Sequence, residues 1–186
     1  MRAAIIGQDN VVANVEVVAD GYVRPGYRVV ASETAGPGDI YDPATGLFAV
    51  PAAPLADLRA AASASVMALR DARIAGGFTF QGVPYQTRDE DRENIAGAAQ
   101  LAFMALVAGA KPGDLRWADA ARDFAWIAAD NGLVTMDAMT VVAFGKAAAA
   151  FKQGCIFAAF MLKGAIEKAP DSAALAAIDL DAGWPA

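Results

Sequence analysis

Histidine is absent from all 186 residues. That removes the side chain that most often serves as general base, the Ser–His and Cys–His nucleophile pairs, and the commonest metal ligand. Cysteine is nearly absent as well. Cys155 stands alone, so no intrachain disulfide holds the fold and nothing points to an oxidising compartment. Charge is sparse, at 19% of residues, and its balance is −6 with no long basic run. Phosphate neutralisation therefore has no electrostatic footprint, and no nucleic-acid partner is expected. Long apolar runs are missing too. The longest uncharged stretch, residues 94–110, has 17 residues, is rich in alanine and is interrupted by Asn94, Gln100 and two glycines. A spanning helix needs about 20 strongly apolar residues, so no membrane insertion is expected. The apolar run at Ala3–Ile6 is too short for a signal peptide before Gln8-Asp9-Asn10.

What is present is apolar surface. Hydrophobic residues make up 56% of the chain, against about 45–50% in typical soluble domains. Much of the excess is alanine, but Phe, Met, Ile and Val add to it. A monomer of this size has limited interior volume, so the composition favours an oligomer or a filament subunit.

The chain divides by pattern. Residues 1–50 read as a small antiparallel β module. Ala3–Gly7 is a short strand. Val11–Val18 is rich in valine, with Val11, Ala13, Val15 and Val17 on one face. Tyr27–Ala31 follows Pro25-Gly26, and Ile40-Tyr41 and Leu47-Phe48 flank a hairpin loop at residues 42–46. Residues 51–54, Pro-Ala-Ala-Pro, form a linker in which proline blocks helix propagation. Residues 55–169 read as a helical domain with two hairpins, and residues 170–186 as a loosely held tail. The fold class is α+β.

Three main helices are expected in the second domain. The first runs from Leu55 to about Ile74, with Leu55, Leu58, Ala62, Val66 and Leu69 at steps of three and four, and stops at Gly76-Gly77. Phe78–Gln81 and Val83–Thr87 flank Gly82 as a hairpin, with Phe78 and Phe80 on one face. The second helix, about Glu90 to Val107, takes Thr87 or Asp89 as its cap and buries Ile95, Ala99, Ala102, Phe103 and Leu106. Phe124–Ala128 and Leu133–Met136 flank Asp130-Asn131-Gly132, a strong hairpin signal. The third helix, about Ala138 to Lys168, is capped by Thr135 or Asp137. Val141, Phe144, Ala148, Phe151, Cys155, Ala158, Leu162 and Ala165 form a heptad-like seam along it. From Cys155 to Leu162 this helix is apolar on every side. Ile156, Phe157, Phe160 and Met161 face away from the seam, so they are the candidate oligomer or partner interface.

Reactive groups are few. Asp89-Glu90-Asp91 suits the positive end of a helix dipole better than acid–base work. Asp130-Asn131-Gly132 lacks the further oxygen ligands and terminal glutamate of a calcium loop. Asp179 and Asp181 are too few for a site, and Gly76-Gly77 lacks the context of a phosphate cradle. Cys155 sits in an apolar helix, the setting of an inert buried thiol. No catalytic residue, cofactor or metal is expected, and the chain reads as non-enzymatic.

One stretch is familiar in its order. Residues 76–87, Gly-Gly-Phe-Thr-Phe-Gln-Gly-Val-Pro-Tyr-Gln-Thr, are followed by Arg92-Glu93-Asn94-Ile95-Ala96-Gly97-Ala98, then by residues 126–136, Trp-Ile-Ala-Ala-Asp-Asn-Gly-Leu-Val-Thr-Met, and the helix at 138–168. This succession resembles an uncharacterised domain found at the C-terminus of phage and prophage tail proteins, and covers about residues 58–168. Residues 36–48 are similar to β segments at the start of tail-fibre and tail-fibre-assembly proteins. The resemblance implies a structural place in a virion tail, at a distal, adaptor or fibre-associated position. Its partners would be other phage tail proteins and copies of itself, after synthesis in the host cytoplasm. The alternative it implies is a tail-fibre assembly chaperone absent from the mature particle.

Overall fold

A computed structural model describes residues 1–185 and resolves them into two compact units, Met1–Pro54 and a second that begins at Leu55. The class is α+β: small antiparallel sheets and three main helices.

In the first unit, β1 (Arg2–Ile6) is the middle strand of a three-stranded antiparallel sheet, between β2 (Val12–Val17) and β3 (Arg28–Ala31). Ala3–Ile6 are all fully buried, which explains an apolar run without alternation. In β2 the expected alternation of Val11, Ala13, Val15 and Val17 fails. Ile5 pairs with Asn14 but Ile6 pairs with Val12, so Ala13 is the extra residue of a β-bulge. One inserted residue reverses the facing of the strand beyond it. Val12 is therefore buried in the same cluster as Val15, while Val17 is exposed. The Arg2 guanidinium donates to the carbonyls of Ser32 and Ala35 at 2.8 and 2.6 Å and fixes the loop after β3. A hairpin of β4 (Ile40–Tyr41) and β5 (Phe48–Ala49) sets the Tyr41 and Phe48 rings 5.0 Å apart.

In the second unit, α1 (Leu55–Gly76) starts directly after Pro54. Gly77 follows it with φ 101°, and a Cβ at this residue would lie 2.4 Å from the Tyr85 carbonyl oxygen. The glycine is there for close approach of backbone to backbone. β6 (Phe78–Phe80) and β7 (Val83–Tyr85) close through Gln81-Gly82, both at positive φ, as a two-residue primed turn requires.

α2 (Asp89–Val107) is capped by neither Thr87 nor Asp89. Thr87 is buried, and its hydroxyl donates to the Ile74 carbonyl at 2.6 Å, tying down the end of α1. The cap residue is Arg88, whose N–H donates to Asp91 Oδ2 at 3.0 Å.

β8 (Ala125–Ile127) and β9 (Leu133–Thr135) also form a hairpin, but not through a two-residue Asn-Gly turn. Ala128 N–H donates to the Gly132 carbonyl at 2.8 Å, and Asn131 N–H to the Ala128 carbonyl at 3.0 Å. The loop is thus Ala129-Asp130-Asn131, with Asn131 left-handed at φ 67°.

α3 (Ala138–Lys168) is the spine of this unit. Asp137 caps it, accepting from Thr140 N–H at 2.8 Å. By length and composition α3 could cross a bilayer, with mean hydropathy 1.2 in its most apolar window. Here two stripes of it are covered by protein. Its first half shares a cluster with α2 and both hairpins, in which the Phe144 ring meets Phe78, Phe80, Tyr85 and Trp126 at 4.7–5.5 Å. Gly145 lets α2 come close, since a Cβ at that position would lie 2.4 Å from the Ala99 Cβ. Its second half packs Ala159 and Ile166 against Val66 of α1 and Leu175 of α4 (Ser172–Ala176). The seam along α3 therefore serves two cores threaded by one helix.

The seam itself shifts phase. Val141, Phe144, Ala148, Cys155 and Ala158 are buried as expected, but Ala165 is exposed and Ile166 takes its place. A helix of 3.6 residues per turn drifts from a strict heptad by about 20° per repeat. Eighteen residues restore the azimuth, which puts Ile166 beneath Ala148.

The tail, expected to be loosely held, is docked. Leu175 is buried, and Ile178, Leu180 and Trp184 pack on the second core. The Arg73 guanidinium stacks 5.2 Å from the Trp184 ring centroid and pairs with Asp181 at 3.0 Å.

Candidate functional site

The residues singled out for reactivity are engaged in structural work. Asp91 closes the α2 cap, and the Arg88 guanidinium beside it holds its carboxyl below the usual range. Asp89 pairs with Arg92. Asp130 accepts from the Gly132 N–H at 2.8 Å inside its own loop. Asp179 accepts from Asp181 N–H at 2.9 Å, and Asp181 holds Arg73. Burial pushes the Cys155 thiol up, against the opposing pull of the Arg73 charge, which leaves little thiolate at neutral pH. Among the described residues, no three His, Cys, Asp or Glu side chains converge to hold a metal ion.

What remains is apolar surface on helices. Phe157, Phe160 and Met161 are each more than half exposed, and Ile156 slightly less. They lie on α3 because its alanines and Cys155 fill the tight buried side, leaving the larger side chains outward. The structure does not gather all four into one pocket. Phe157 and Met161 border a shallow apolar groove closed on its far side by Ala182 and Gly183 of the tail. Ile156 instead borders a separate groove, with Ile74 and the charged side chains of Arg70, Asp71, Arg92 and Lys152. Phe160 stands between, the most exposed of the four.

A second apolar face was not anticipated. Leu101, Phe103, Met104 and Val107 of α2 are all more than half exposed. Phe103 was expected in the buried stripe. Ile95, Ala98, Ala99, Ala102, Ala105 and Leu106 already fill the side towards α3, and Phe103 sits about 100° round the helix from Ala102. The signal was legible: residues 101–107, Leu-Ala-Phe-Met-Ala-Leu-Val, are as apolar all round as the chosen part of α3.

Residues 57–182, about two-thirds of the chain, match the family model described as Domain of unknown function (DUF4376). No curated protein and no solved structure matches.

Proposed function

The chain belongs to the DUF4376 family, and we propose that it is a structural subunit of a tailed-phage or phage-derived tail, working through protein–protein contacts rather than chemistry. One observation carries this: large apolar side chains, Phe157, Phe160 and Met161, stand in water on a rigid helix in a chain that resembles tail-protein domains. Soluble monomers rarely keep contiguous apolar surface without a use for it. A chain with no histidine and one buried cysteine supports the same side of the argument. A distal-tail, adaptor or fibre-associated place fits best. Mass spectrometry of purified particles tests it. The expected result is this chain present in a fixed whole-number ratio to a known tail protein. Absence from mature particles, with crosslinking to fibre protein in lysates, would replace the subunit by an assembly chaperone.

A further inference from the structure

We infer that two exposed helix faces bind one another between copies of this chain, the outer face of α2 in one copy packing on the outer face of α3 in the next. This deepens the subunit proposal above and rests on it.

Each face presents a continuous exposed line of residues. On α3, Ala143, Lys146, Ala150, Gln153, Phe157 and Phe160 follow one another at alternating steps of three and four, and all are exposed. On α2, Glu93, Gly97, Gln100, Met104 and Val107 do the same, and all are exposed. Each line ends in large apolar side chains, Phe157 and Phe160 on α3 and Met104 and Val107 on α2, and these form the centre of the contact.

Charge favours the pairing. The outer line of α2 carries Glu90 and Glu93, and that of α3 carries Lys146. In parallel, α2 on α2 would set these carboxylates together and α3 on α3 would set Lys146 on Lys146, whereas α2 on α3 sets unlike charges together. The spacing matches as well. Glu90 precedes Met104 by fourteen residues, as Lys146 precedes Phe160, about 21 Å along either helix. A parallel register that sets Met104 on Phe160 therefore sets Glu90 beside Lys146.

Geometry makes the contact head-to-tail. α2 turns Ile95, Ala99 and Ala102 to α3, and α3 turns Val141 and Gly145 to α2, so the two outer faces point away from each other. A two-fold pair cannot use both at once. Repetition of the contact gives a ring where the rotation closes and a filament where it does not.

Sedimentation velocity on the full chain tests this. Wild type is expected to self-associate at tens of micromolar and to dissociate as salt rises. Met104→Glu and Phe160→Glu are each expected to weaken self-association at least tenfold. Mixed together, they should form a 1:1 pair and stop, because one intact face of each kind survives. Unchanged melting curves show that both variants fold, and Phe157→Ser replaces Phe160→Glu should the latter melt early. A monomeric wild type, a single variant that still self-associates, or a mixture that stays monomeric overturns the interface. Particle composition fails independently: absence from particles with a positive mixing result removes only the tail assignment.

Discussion

The two halves of α3 are enclosed by different means. Around Phe144, aromatic rings from two hairpins lock against one another, and α2 sits close over Gly145. Around Ile166 and Ala159, the helix meets Val66 and Ala169, and a tail supplies Leu175 and Trp184 as the cover. The first core takes every segment besides α3 itself from the chain before it, whereas the second joins α1, from before the helix, to a cover that follows it. A core closed by a terminal segment opens at lower local cost than one closed by hairpins anchored at both ends.

That contrast can be broken by substitution. Phe144→Ala should cost most, about 3–5 kcal/mol, because it leaves a cavity among four rings that cannot collapse onto it. Denaturant unfolding measures this. A loss under 1 kcal/mol would mean the rings repack and the first core is no tighter than the second. Leu175→Ala should cost about 2–3 kcal/mol. In hydrogen exchange it should deprotect α1 and residues 159–168 while leaving α2 and residues 138–148 protected. Uniform deprotection would join the two cores into one cooperative unit.

Gly145→Ala should cost about 1–3 kcal/mol by driving α2 off α3 at Ala99, whereas Gly164→Ala, where nothing lies within 4 Å, should stabilise slightly. Asp137→Ala should cost about 1 kcal/mol through loss of the α3 cap. The Thr140 side chain, the Gly113 N–H and the Thr140 N–H together hold the Asp137 carboxyl below its ordinary value of 3.8. A depressed carboxylate contributes stability that is present above that value and fades as pH falls through the folded pKa. Wild type should therefore lose an increment on acidification below about pH 4 that Asp137→Ala has already lost. Phe160→Glu should change folding stability least, within about 0.5 kcal/mol, since its side chain is outside both cores.

Much of the architecture is legible in the sequence. The bounds of α3 and the break at Pro54 follow from apolar period, capping and proline, which act over a few residues. The facing of β2 was not legible, because the bulge at Ala13 arises from its pairing with β1 rather than from anything in β2 itself. Phe103 was misplaced for a related reason. Local period says that α2 has an apolar side, but residues 101–107 are apolar on all sides, so only the width of the contact with α3 decides which are covered. The outward position of Phe157, Phe160 and Met161 was legible because Ala158, Ala159 and Cys155 occupy the opposite azimuth. Their separation from Ile156 was not, since it depends on where α1 and the tail lie.

By itself the sequence determined the order and type of the elements, the lack of histidine-based chemistry and the surplus of apolar side chains. Those are properties of composition and of neighbours along the chain. Only the tertiary structure decided that one helix serves two cores, that the tail closes the second, and that α2 and α3 keep apolar side chains in solvent. Burial depends on what arrives from elsewhere in the chain, and no periodicity within a helix encodes the width of the surface that will meet it.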